Sequence, residues 1–130
     1  MSPPLNSAAP AAGSALPLAT TISLKSAVND VQGCDFVTST RLLCGSDDSS
    51  GTLYGFTKPL LQIDLSSALS GSAVTGTVTA LGQLPLQSAC AGSFEVEGID
   101  YATANGDLRV EVIPPGACTL AGALYRLRKT

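Results

Sequence analysis

The chain has 130 residues, 45% of them hydrophobic and only 13% charged, with seven Lys or Arg against ten Asp or Glu and a formal net charge of −3. That length suits one domain large enough to bury a core, and the charge balance offers no basic face for nucleic acid. With no His present, neither a Ser-His-Asp or Cys-His nucleophile pair nor a His-ligated zinc site can be assembled within the chain, and no G-x-x-x-x-G-K-[ST] or G-x-G-x-x-G phosphate loop occurs.

The first twenty residues, MSPPLNSAAPAAGSALPLAT, hold six Ala, four Pro and three Ser and no charge. This composition predicts a flexible arm over residues 1–21. It lacks the basic start and the uninterrupted apolar core of a signal peptide, so an export signal is expected elsewhere. No apolar run approaches the roughly 18 residues that span a bilayer. From about residue 22 the pattern becomes short apolar runs bounded by Gly, Pro, Asn, Asp or Ser, which predicts many short strands and no helix.

A first repeat is assigned to residues 22–89. CDFVTSTRLLCGSDD reads as a strand pair turning at Thr38 to Thr40, followed by strands in PLLQIDL and AVTGTVTALGQL, where Thr75, Thr77 and Thr79 alternate with smaller or apolar residues. A second repeat, residues 90–130, runs EVEGIDY, DLRVEVI and ALYRLRK and stops before a fourth strand. Asn105 and Gly106 are expected to supply both positive-φ positions of its first turn. ATTISL, residues 19 to 24, is the local candidate for the missing strand.

The two repeats open on matching heptads, DVQGCDF at residues 30–36 and EVEGIDY sixty-five residues later at 95–101. Gly33 and Gly98 permit a bend or the close approach of another strand. Asp35 and Asp100 are suited to accepting hydrogen bonds from nearby backbone N–H groups. The fold expected is all-β: antiparallel four-stranded units like β-propeller blades, about two and incomplete, or alternatively a small disulfide-stapled β-sandwich. Two blades cannot close a ring of about four to eight. A fragment of a longer propeller, a ring of several copies and a sandwich therefore all stay open.

The run E-G-I-D-Y-x-x-x-x-G-D-L-R-V resembles the blade opening of secreted bacterial β-propellers, distantly the gluconolactonase/regucalcin and phytase-like esterase groups. The resemblance implies the C-terminal blades of such a protein, with Glu97 as a metal ligand and Asp100 in the same stretch as its companion. The first copy departs from the pattern, with Gln32 where the Glu would stand. The remaining blades of a longer chain, or self-association, are the partners this implies.

Four Cys in a short chain suggest two disulfides. Cys34 and Cys44 lie nearly symmetrically about the turn near Ser39, and Cys90 and Cys118 flank the hairpin turning near Asn105, so each bridge is expected to close the first strand pair of its own repeat. Chain-entropy reasoning assigns roughly 3 kcal/mol to the shorter loop and about half a kcal/mol more to the longer. The cysteine spacing contains no close pair for zinc. Disulfides imply an oxidising compartment, and secretion is the expectation.

Two acidic groups invite a hard cation such as Ca²⁺. In GSDDSSG, Asp47, Asp48, Ser49 and Ser50 offer oxygens without the alternating ligand spacing of a dedicated loop, and a solvated turn is the preferred assignment. Glu95 and Glu97 share a strand face about 7 Å apart, and are expected to face water opposite Arg109 or Glu111. Tyr54 and Phe56, in TLYGFTKP, read as a minor core cluster in preference to a recognition patch. Function is expected to be binding or structural with no self-contained catalytic site, the alternative being part of a metal-dependent propeller hydrolase.

Overall fold

The structure is a computed structural model; it describes residues 20–88 and 90–128 together with Gly13 and Leu18. The arm assigned to residues 1–21 therefore lies outside the described residues for most of its length, as does Lys129 at the basic C-terminal run. The chain is all-β. It forms β1 (Ile22–Leu24), β2 (Val31–Thr38), β3 (Arg41–Ser46), β4 (Pro59–Leu65), β5 (Val74–Gln83), β6 (Glu95–Ala102), β7 (Asp107–Ile113) and β8 (Ala123–Leu127), with a short 3₁₀ helix at Gly116–Ala121.

Two sheets result, a five-stranded one in the order β1-β5-β4-β3-β2 and a three-stranded one in the order β6-β7-β8. The first contains a four-stranded antiparallel meander, β2 to β5, and the second a three-stranded meander that stops there. Two sheets joined by their packed faces and stapled by disulfides fit the sandwich alternative. Residues 19 to 24 do not complete the second sheet: β1 lies parallel to β5, Ile22 beside Val74, in the first. Its short length and the apolar Ile22 and Leu24 suit an edge position over the first core.

β3 explains why the sheets stack. Its sequence RLLCGS is buried at every position after Arg41, because both of its faces are covered. Leu42 and Cys44 join Leu61, Ile63, Leu65 and Val74 in a core on one side. Leu43 points the other way, into a second core with Leu84, Val96, Leu108 and Val110. Period-two alternation thus feeds two cores from one strand, and each fully buried Leu or Val contributes about 1.5–3 kcal/mol.

The repeated heptads meet in space. β2 and β6 cross so closely that a Cβ on Gly33 would lie 3.0 Å from Ile99 N and 3.2 Å from both Glu97 O and Gly98 Cα. Gly45 repeats the device on β3, where a Cβ would come within 2.8 Å of Val96 Cγ1. The glycines are needed because β6 approaches at backbone distance, where no side chain fits.

The β6–β7 hairpin differs from its expected turn. Four residues, 103–106, connect Ala102 to Asp107, and only Gly106 has positive φ (73°). Asn105 stays out of the left-handed region because its work is done by its side chain: Asn105 Oδ1 accepts a hydrogen bond from Asp107 N at 3.0 Å, while Gly106 N donates to Ala102 O at 2.8 Å.

The bridges join Cys34 to Cys44 and Cys90 to Cys118. The first links directly opposed residues of β2 and β3. The second does not close a strand pair. Cys90 precedes β6 and Cys118 lies in the 3₁₀ helix after β7, so the bridge ties the entry of the second sheet to the β7–β8 connection.

Candidate functional site

Polar side chains concentrate where the two sheets meet. The segment after β3, Gly45-Ser46-Asp47-Asp48, turns inward because Ser46 Oγ donates to Asn29 O and Asp47 N donates to Asp30 O at 3.0 Å. The assignment of Asp47 and Asp48 to a solvated turn is overturned: both are buried, Asp48 only 2% exposed. Burial of a carboxylate requires partners, and each has them.

Asp47 Oδ1 is paired with Lys58 Nζ, and Asp47 Oδ2 accepts the Val96 N–H at 3.0 Å. Lys58, just before β4, also donates to Phe94 O and sits 4.8 Å from the centre of the Phe94 ring. One ion pair therefore fastens the first sheet to the start of β6. A second clasp comes from Asp35, whose Oδ2 accepts the Tyr101 N–H at 2.7 Å across the crossing strands. Asp35 Oδ1 also accepts from its neighbour Phe36 N at 2.8 Å, so its expected role as a backbone acceptor takes this interstrand form.

Asp48 organises the following loop. Leu53 N donates to its Oδ2 at 3.1 Å, while Ser50 Oγ at 2.8 Å and Asn29 Nδ2 at 3.1 Å donate to Oδ1. These bonds, the Leu53 N–H first, hold its carboxyl below the ordinary range of aspartate. With its oxygens committed in this way, Asp48 serves the loop as an anchor. Tyr54, carried on the same loop, is half-buried against the first core and donates its hydroxyl to Ala27 O at 2.7 Å. Phe56, its neighbour in the sequence motif, is half-buried.

The residues named as metal ligands lie apart in their bonding. Asp100 is directly opposite Arg109, which donates to it at 2.6 Å. Glu97 occupies the irregularity between Val96 and Gly98, which shifts the register so that Gly98, not Glu97, faces Glu111. Its carboxyl is pushed above the ordinary glutamate value, first by burial and then by its neighbour Glu95, with Asp47 and Glu111 adding repulsion. Glu95 and Glu97 thus remain neighbours, but Arg109 serves Asp100 instead of them. Among the described residues no three His, Cys, Asp or Glu side chains converge to hold a metal ion, so the donor set does not fit Ca²⁺ and no step is assigned to one.

At the far side of the second sheet, Asp107 is buried and receives Arg126, with Arg128 Nε 3.9 Å away. The basic run at the C-terminus is therefore gathered on one carboxylate as far as Arg128. Sequence reasoning missed the Lys58–Asp47 clasp. Its signal was a lone Lys at the head of an apolar strand, facing an Asp pair at the end of the preceding strand, which is where opposite charges of a meander meet.

A cleft of about 400 Å³ opens beside Lys58, lined by Ser49, Thr57, Gln83, Ser93 and Phe94 among others. The Lys58 ammonium is turned away from it onto Asp47 and Phe94 O. Two disulfides mark the protein as non-cytoplasmic, and no helix among the described residues is long and apolar enough to cross a membrane. Compared with known proteins, the chain matches no family model, no curated protein and no solved structure.

Proposed function

We propose that this chain is a secreted β-repeat module whose role is binding or structural, built from two units resembling propeller blades and carrying no catalytic centre of its own. One observation supports this above the others. The buried polar side chains Ser46, Asp47, Asp48 and Asp107 are all committed to bonds that hold strands and loops together, and no buried polar atom among the described residues lacks a partner. Groups poised for chemistry are more often left incompletely satisfied, or aimed into a cleft. Recognition then falls to loops and outward faces on a stapled scaffold.

The unequal meanders, four strands and three, support kinship with a larger propeller-like assembly, from a longer chain or from copies of this one. The test is light scattering coupled to size-exclusion chromatography on the oxidised chain, with a far-ultraviolet dichroism melt and an assay on lactone and phosphate-ester substrates. A cooperatively melting species with no turnover is expected. Turnover abolished by Glu97→Gln would overturn the non-catalytic reading, and a non-cooperative, aggregating chain would overturn the module reading.

A further inference from the structure

The third strand of each meander has a different fate. β4 is flanked by β3 and β5, whereas β8 has β7 on one side and no described strand on the other. An open edge presents a row of backbone N–H and C=O groups ready to pair. The side chains around this one are apolar in an unusual degree for a surface: Leu120 is 100% and Leu124 70% exposed. Together with Ile113 and Ala123 they line a shallow cleft of about 600 Å³.

We propose that the open edge of β8 is a docking site for an extended segment of a separate polypeptide, which adds as a fourth strand and carries an apolar and an acidic side chain two residues apart. This rests on the binding-module reading and names its partner. The spacing follows from the register. Leu124 lies opposite Glu111 and Arg126 opposite Arg109, so Leu124 and Arg126 share the outer face of the sheet. A strand added alongside would set one side chain beside each of them.

The charge preference follows from counting partners. Arg126 and Arg128 share the single carboxylate of Asp107 while their side chains stay 49% and 68% exposed. One positive charge is thus in excess at the edge, and a cross-strand carboxylate would meet it. The same arginines disfavour a second copy. Two-fold pairing of β8 with itself would bring two such basic edges together, where like charges repel.

The test is titration of the oxidised, isotope-labelled full chain with a short synthetic Thr- and Val-rich strand bearing Glu two residues from Val, and with its counterpart bearing Lys in place of Glu. Backbone amides of Ala123–Leu127 are expected to shift and gain exchange protection with the Glu strand, with the Lys strand and the exposed-site variant Leu124→Lys each weakening binding about tenfold or more. No shift at β8 up to about millimolar peptide, or equal binding of the two strands, would overturn the proposal. A concentration-dependent dimer that protects β8 without peptide would overturn it in favour of a second copy. A cooperative melt alongside absent peptide binding would remove the β8 assignment alone, whereas loss of the cooperative melt would remove the module reading beneath it.

Discussion

Replacing each glycine of the repeated heptad by Ala gives opposite results if the two heptads truly cross. At Gly33 the added methyl would stand 3.0–3.2 Å from three backbone atoms of β6, and backbone in a paired strand cannot give way without moving the sheet. Overpacking of this kind costs about 1–3 kcal/mol. At Gly98 the nearest atoms are Glu111 Oε2 at 3.4 Å and its Cβ at 3.5 Å, part of a flexible, exposed side chain. There the loss of unfolded-state freedom dominates, and Ala stabilises by about 0.4–1 kcal/mol. The assay is urea unfolding of the oxidised protein with the slope held common. At a slope of about 1–3 kcal/mol/M, Gly33→Ala lowers the midpoint by roughly 1 M and Gly98→Ala raises it slightly. Against a total of about 5–15 kcal/mol the first loss is large. Equal midpoints for the two variants would refute the crossing as the reason for the repeated glycine.

Lys58→Met leaves Asp47 buried with only the Val96 N–H, and chemical denaturation is expected to show a loss of about 3–5 kcal/mol; a loss below about 1 kcal/mol would put the pair in the class of exposed ones. For pH, the raised folded-state value of Glu97 means that its penalty is absent below the ordinary 4.5 and develops as pH rises through the raised value. Glu97→Gln should therefore gain in thermal stability over the natural protein as pH increases above that point. Asp48 and Asp64, whose folded-state values are lowered, behave oppositely: their contribution is full above 3.8 and is lost as pH falls towards the lowered values. Asp48→Asn and Asp64→Asn should flatten the acid limb of the melting profile. Cys34→Ser with Cys44→Ser, and Cys90→Ser with Cys118→Ser, should each cost roughly 3 kcal/mol in the same unfolding experiment.

Strand identity was legible because the strands are punctuated by residues whose backbone roles are local. PLLQIDL and DLRVEVI became β4 and β7 at the boundaries that Pro and Asp set. The turn chemistry was half legible: Gly106 took the positive φ, but nothing local tells whether Asn105 contributes its backbone or its side chain. Asp47 and Asp48 were misplaced for a different reason. A Ser- and Asp-rich stretch carries a turn signal whether it faces water or a neighbouring sheet, and only the long-range partners Lys58 and Val96 reveal that it faces inward. The register shift beside Glu97 was hidden likewise, since a bulge depends on the partner strand as much as on its own sequence.

The matching heptads suggested two equivalent units, yet their acids have separate fates. Asp35 reaches across the crossing to the Tyr101 N–H, while Asp100 turns outward to Arg109. A shared chemical role for the motif would need both carboxylates in like surroundings, and they are not. What the copies do share is the glycine that lets β2 and β6 touch. The repeat is therefore explained by packing between units, and the interior of that joint is filled by groups already bonded to one another. Any partner must then be met on the outside, where the second sheet keeps apolar Leu120 and Leu124 and two arginines beside a strand edge that the first sheet's plan would have covered.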